Sequence, residues 1–427
     1  MGNIGISQRE LASGVRSSVL KIVPTDFTVL ASFLQTPTAA EAAQSLELGR
    51  ARNKLDFVAV PPLSDEYQVS EIHKFSELGN IVCLSKRAKV AASGAKMIAP
   101  LHSMRLASGL LKQGQILLNG NYFLFQPSDL HSPWDGYGDP SGLVISDGQM
   151  LVPPHLPRPC VLQYKGQTFI NRHSFADCQI MDAAGQRFVA HKHGQMEFDA
   201  PGTAYALYFG SINGRSPITQ GTVDVAYVGR QPTAIKKNGG MPIARSGCVL
   251  RYASMEEAIA GSKGALTYQM QSTYDQGLQC GPMLVEFGKS TEIGRNVFDE
   301  EELGSGAGFS DTPAKSPSDW KADWHKTRAA RFAAGITNEG TVFFLAVEGS
   351  SSTAIKGVNR KGATLADLTQ LMIDEGAITA MHLDGGGSVQ AYNNVGGTLI
   401  ASHDVYHEDP NATFQIDRPL PLGVILK

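Results

Sequence analysis

Closely spaced cysteines are missing from this sequence. The five present, Cys83, Cys160, Cys178, Cys248 and Cys280, are scattered and odd in number. That excludes a CxxC redox motif and a cysteine-framed zinc site, and leaves reduced, mostly buried thiols as the expectation. Uninterrupted apolar tracts of roughly 18 residues or more are missing, so no helical membrane span is expected. The N-terminus, MGNIGISQRELASGVRSSVLKIV, lacks a positive stretch followed by an apolar core and does not read as a secretory signal. Cytoplasmic residence is the expectation, or action inside the host cell for a phage-encoded chain. Gly2 and Ser7 fit the short myristoylation pattern, which is a weak signal by itself. Charge of one sign is lacking too: 37 Lys and Arg face 40 Asp and Glu for a net −3, with no global bias toward nucleic acid or anionic membrane.

What is present suits a globular protein. The chain has 427 residues, 42% hydrophobic and 18% charged, enough for one large domain with an accessory part. Residues 1–55 read as a short helical N-terminal appendage, with RELASGVRSSVLKIV and TAAEAAQSLELGRARNKL as the two helices. Thr38 with Glu41 three residues on makes a capping box for the second. From residue 56 to 427 the pattern becomes that of a single domain. Short β-rich runs such as NIVCLS, QILL, GLVIS, CVLQY and VDVAYVG alternate with Gly, Asn and Asp turns. Residues 289–327 are polar and rich in Gly, Ser, Asp and Lys, and read as a long surface loop of the kind that often serves binding.

The clearest local structure runs from 341 to 388. TVFFLAV reads as a strand. Thr364, with Asp367 three positions on, caps a helix whose Leu365, Leu368, Leu371 and Met372 form one apolar stripe, and Gly376 ends it. ITAMHL is the next strand. Strand, helix, strand predicts a βαβ unit with parallel strands. The fold class expected is therefore α/β (α+β), a mixed sheet domain with flanking helices. Parallel strands place Glu348, after LAV, and Asp384, after MHL, at one edge of the sheet, where α/β folds carry their ligand sites. Asp384 is followed by Gly385, Gly386, Gly387 and Ser388. That run is either a turn or a concave nest of N–H groups for an anion, and three consecutive glycines exceed what a turn needs.

Other stretches could carry chemistry. In LLNGNYF, Asn119 is a turn residue or an amide that bonds a phosphate or sugar oxygen, and Tyr122 could stack on a sugar. Asp135, Asp139 and Asp147 are spaced faintly like a calcium loop but lack its ligand order, and a plain loop is favoured. Cys280 reads as a packed thiol. Arg331 starts a strand and could fork onto phosphate, although a surface arginine is the commoner case. His191 with His193, and His403 with His407, have no third ligand in view, so no metal is expected.

Taken in order, these stretches resemble the phosphodiester glycosidase family. LLNGNYF is similar to its INGGYF segment, GLVISDG to its GLVVSDG strand and LQCGPMLVEFGK to LQAGPMLVRDGK. RFAAGITNEGTVFFLAVEG and GATLADLTQLMIDEGAITAMHLDGGGS follow, then a closing RPLPLGVILK. The resemblance covers roughly residues 55 to 427, loosely between 160 and 265. Asn121 replaces a glycine, Glu348 stands where Asp is usual, His382 where Asn is usual, and Ser350, Ser351 and Ser352 where an Arg is common. These departures bear on the substrate more than on the reaction.

The resemblance implies hydrolysis of a sugar C1–O–phosphate bond in a mixed-sheet fold, with a small sugar-phosphate or nucleotide-sugar substrate, no cofactor, no nucleic acid and no membrane; an oligomer is compatible. Asp384 and Glu348 would serve as nucleophile or as base. Gly385, Gly386, Gly387, Ser388, Asn119 and Arg331 would hold the phosphate. His382 is an acid/base or a satisfied pocket residue. A non-catalytic phosphosugar-binding module ranks second, since it would not need both carboxylates. A phage receptor-binding unit and a nuclease follow.

Overall fold

Strands, rather than helices, organise this chain. The computed structural model describes residues 3–12, 14–31, 81–92, 104, 108–109, 111–124, 130, 132–154, 157–189, 206–208, 215–293, 324–350, 362–403, 405–406, 414–415, 418 and 420–427. The expected helix over residues 9–23 is instead the end of the first strand, the turn and the second strand of a hairpin, Asn3–Glu10 paired antiparallel with Arg16–Val23. Val19, Ile22 and Val23 favour extended backbone, and the hairpin adds itself to a sheet through Val19 opposite Val347. The capped helix expected after Thr38 lies outside the described residues, as does most of the 289–327 loop.

Seven strands form that sheet, in the order Asn3–Glu10, Arg16–Val23, Val342–Val347, Arg331–Thr337, Ala377–His382, Met283–Glu286 and Lys289–Ser290. Every neighbouring pair is antiparallel. A second sheet runs Gly349–Ser350, Thr398–His403, Gln390–Asn393, Ile116–Asn119, Gly423–Leu426 and Phe27–Leu30. The two share one apolar core, in which Leu20, Phe332, Phe344 and Met381 meet Phe27, Val29, Leu118, Ala391 and Val424. The far face of the first sheet is covered by helix Leu365–Asp374, whose Leu365, Leu368, Leu371 and Met372 pack on Ala333, Phe343, Leu345 and Ala380. Two five-stranded sheets built from strands within residues 81–83, 144–152, 158–173, 206–208, 218–252 and 276–279 enclose a further core around Leu162, Val225, Tyr227 and Leu250.

The α/β (α+β) expectation of a mixed sheet domain with flanking helices thus holds only in part: the described residues form a mostly antiparallel β architecture with few helices. The βαβ reading survives in orientation only. Val342–Val347 and Ala377–His382 are each antiparallel to Arg331–Thr337, hence parallel to one another, but that third strand lies between them. Among the described residues no helix is long and apolar enough to cross a membrane.

The helix ends follow their sequence signals. Thr364 Oγ1 accepts from Asp367 N at 3.1 Å, the Asp367 carboxylate accepts from Thr364 N at 3.0 Å, and Gly376 takes φ +88°. Replacing Thr364 with Ala removes the hydroxyl that accepts from Asp367 N and keeps the backbone N–H that donates to the Asp367 carboxylate. It is expected to cost about 1 kcal/mol, read as a lower urea midpoint at unchanged slope.

Candidate functional site

Strand register decides which side chains can meet. Arg331 stands opposite Val347 and Ala333 opposite His382. Arg331, Glu348 and Asp384 therefore lie at one end of the seven-stranded sheet, with the strand that Arg331 starts inserted between the two that were expected to be neighbours. Glu348 N donates to Ser18 O at 2.9 Å, and its Oε2 accepts from Ser18 Oγ at 2.5 Å. The carboxylate is half-buried.

The loop after His382 is fastened to both sheets. Leu383 N donates to Phe332 O at 2.8 Å, Asp384 N to Gly120 O at 3.3 Å, and Gly386 N to Ala330 O at 2.8 Å. Here the glycines find their reason. A Cβ on Gly385 would stand 3.1 Å from His382 Nε2 and 3.2 Å from Ala330 O. Gly386 has φ +58°, which L side chains adopt at a cost. Gly385→Ala is expected to lower stability by about 1–3 kcal/mol and to shift the His382 ring resonances, checked by thermal melting and imidazole NMR.

The phosphate-nest expectation needs correction. The Gly386 N–H is engaged by Ala330 O, and the Gly385 N–H is directed at the Asp384 carboxyl. The glycine run chiefly holds the carboxyl in place.

That carboxyl is the most perturbed acid at this edge. Asp384 is 8% exposed, and burial pushes its pKa up to about 7 against the opposing pull of the Ser388 hydroxyl, the Arg418 charge and the Gly385 N–H. Arg418 Nη1 donates to Ser388 Oγ at 3.2 Å, and Arg418 O accepts from Gln390 Nε2 at 2.7 Å. Sequence reasoning missed Arg418. It precedes the strand Gly423–Leu426, which slots between Ile116–Asn119 and Phe27–Leu30. Only that pairing brings the tail to the site, and the sole signal was the arginine of RPLPLG.

The remaining predicted residues form the wall beneath. Asn119 uses both ends of its amide inside the fold: Nδ2 donates to Asp384 O at 2.7 Å and Oδ1 accepts from Gln390 N at 3.2 Å. It positions the loop and is not a free ligand group. Tyr122 is buried with its hydroxyl donating to Gly281 O at 2.5 Å, so the expected sugar-stacking face is not presented. His382 Nδ1 lies 3.0 Å from both Tyr122 Oη and Gly281 O. Burial, and then the charge of Arg331, press its pKa well below the usual imidazole range, so the ring is neutral at pH 7. Arg331 is not on the surface. It is 3% exposed, with Nε on Ala363 O at 3.1 Å and Nη2 on Thr327 O at 2.6 Å. Burial lowers its pKa to about 10, and it stays a cation.

Outside this edge, the acidic loop is internal scaffolding. Asp139 pairs with Arg87, Asp135 accepts from Ser132 N and Arg245 N, and Asp147 sits in a turn at φ +50°. Cys280 is packed in the core. His191, His193 and His407 lie outside the described residues. Among the described residues no three His, Cys, Asp or Glu side chains gather as a metal site.

Comparison with known proteins gives one family. Residues 218–427 match the model of the phosphodiester glycosidases, so the resemblance read from the motifs holds over that span; the pieces at 117–148 fall before it. No curated protein matches the chain. Among solved structures, a hypothetical protein from Synechocystis is 16% identical at a TM-score of 0.43, with 99% of this chain and 62% of that one covered. This chain therefore spans less than two thirds of that protein's length. A putative exported protein from Burkholderia pseudomallei is 16% identical at 0.46, covering 100% and 97%. The catalytic domain of zebrafish N-acetylglucosamine-1-phosphodiester alpha-N-acetylglucosaminidase, auto-inhibited by its pro-peptide, is 14% identical at 0.37, covering 100% and 82%.

Proposed function

We propose, for a chain whose residues 218–427 match the phosphodiester glycosidase family, hydrolysis of the bond between a sugar C1 and a phosphate. The observation that carries the reading is Asp384: a carboxyl brought close to neutral pKa at the sheet edge that also holds Glu348. A catalytic acid or base works best with its pKa near the working pH.

The leaving group, a phosphate monoester, carries its own charge and departs without needing a proton. The chemistry then asks for a base or nucleophile on the sugar side and a cation on the phosphate side. Asp384 takes the first role in its ionised form, with Glu348 as the second carboxylate facing the developing oxocarbenium charge. Arg418 takes the second role. It is half-buried beside Asp384, whereas Arg331 is bound to backbone carbonyls.

The test is hydrolysis of UDP-N-acetylglucosamine and a simple glycosyl phosphodiester in H₂¹⁸O. Label in the released sugar reports C1–O cleavage and supports the reading. Label in the phosphate reports P–O cleavage and replaces it with a phosphodiesterase. Binding of these compounds without turnover favours the non-catalytic phosphosugar module.

A further inference from the structure

The N-terminal hairpin supplies a polar contact to the site, although it lies outside the span matched to the family. Glu348 is reached from the Arg16–Val23 strand by two bonds from one residue, Ser18 O on its N–H and Ser18 Oγ on its Oε2. Ser18 Oγ in turn accepts from Gln8 Nε2 at 2.8 Å, across the hairpin. The amide hydrogen occupies one lone pair of the hydroxyl, so the hydroxyl proton is left for the carboxylate. The two strands are in register over their whole length, Gln8 opposite Ser18, and Val19 opposite Val347 sets Ser18 beside the carboxylate. Gln8, Ser18 and Glu348 thus form a directed chain that starts on the outermost strand and ends at the site edge.

We propose that Ser18 is a positioning residue for Glu348, and that the hairpin of residues 3–23 is part of the functional site rather than an appendage. The proposal rests on the reading of Glu348 as a site carboxylate for its catalytic consequence, but not for its physical content. A hydroxyl donating to a carboxylate favours the ionised form and fixes which oxygen faces away from the donor. Loss of that donor raises the proton affinity of Glu348. The backbone contact from Ser18 O survives any side-chain change, so the strand pairing is kept.

The experiment uses the full chain labelled with ¹³C at the glutamate carboxyl carbon, with the Glu348 resonance assigned by its loss in Glu348→Gln. Its titration is followed in wild type, Ser18→Ala and Ser18→Thr. The expected result is a Glu348 titration moved upward in Ser18→Ala by roughly half a pH unit to one unit, with Ser18→Thr, which keeps the hydroxyl, close to wild type. An unchanged titration in Ser18→Ala, with the fold intact by amide spectra, overturns the proposal. So does an equal shift in Ser18→Ala and Ser18→Thr, which assigns the effect to packing. The readout needs no turnover, so failure of the glycosidase reading and failure of this proposal are separately visible. Where turnover is found, the acid limb of kcat/KM is expected to move with the Glu348 titration in the same variant.

Discussion

Asp384→Asn is expected to abolish most sugar release and, at the same time, to make the protein harder to unfold. Loss of a positioned base costs roughly 10²–10⁴-fold in rate. The stability gain comes from the same pKa. The folded carboxyl titrates at about 7 against 3.8 for a free one. Below the unfolded value both states are protonated and burial costs nothing. Between about 4 and 7 the unfolded chain releases its proton while the folded one holds it, so stability falls as pH rises. Above about 7 the full cost of a buried charge is present, with a ceiling on the order of 4 kcal/mol. The amide removes the charge but loses part of the bonding to Ser388 and Gly385, so a gain of about 2 kcal/mol at pH 8 is expected, shrinking toward pH 4. Urea unfolding at the two pH values checks it. Equal stability of wild type and variant at pH 8 would mean that Asp384 is an ordinary carboxylate. Activity of the wild type should rise through pH 7, because the working form is ionised; a rate that falls there instead makes Asp384 an acid.

How much of this was legible in the sequence depended on range. The Thr364 cap, the helix stripe and the Gly376 stop are set within a few residues, and local rules found them. Placing Glu348 and Asp384 at one edge needed only that their strands be parallel, which holds even with Arg331–Thr337 inserted between. What failed was long-range pairing. The RELASGVRSSVLKIV stretch has good helix formers at its start, and only an open sheet edge at Val342–Val347 makes it a strand. Arg418 comes to Asp384 because the last strand pairs with residues 116–119. Neither partner is encoded nearby. Asn119 and Arg331 stood out by residue type at the end and the start of a strand, but that position cannot say whether an amide or a guanidinium faces a ligand or a backbone carbonyl.

The two arginines give the sharpest contrast. Arg331→Ala is expected to cost about 3 kcal/mol or more, because it opens a cavity under the sheet and strips the donor from Ala363 O and Thr327 O, two contacts that anchor the segments flanking the site. It should appear as poor yield and a lowered melting temperature, with activity lost through the fold. Arg418→Ala removes a half-buried side chain that donates to Ser388 Oγ, and the fold should tolerate it far better. Affinity for inorganic phosphate or a phosphate monoester product should drop roughly 10–100-fold, the worth of one or two charge-assisted hydrogen bonds. The charge of Arg418 also holds the Asp384 pKa down, so its removal should carry the rising limb of the rate profile to higher pH. Product inhibition by the monoester, measured across pH in both variants, reads both effects. If Arg331→Ala folds normally and loses phosphate affinity while Arg418→Ala keeps it, the phosphate site belongs under Arg331 and the assignment to the C-terminal tail is wrong.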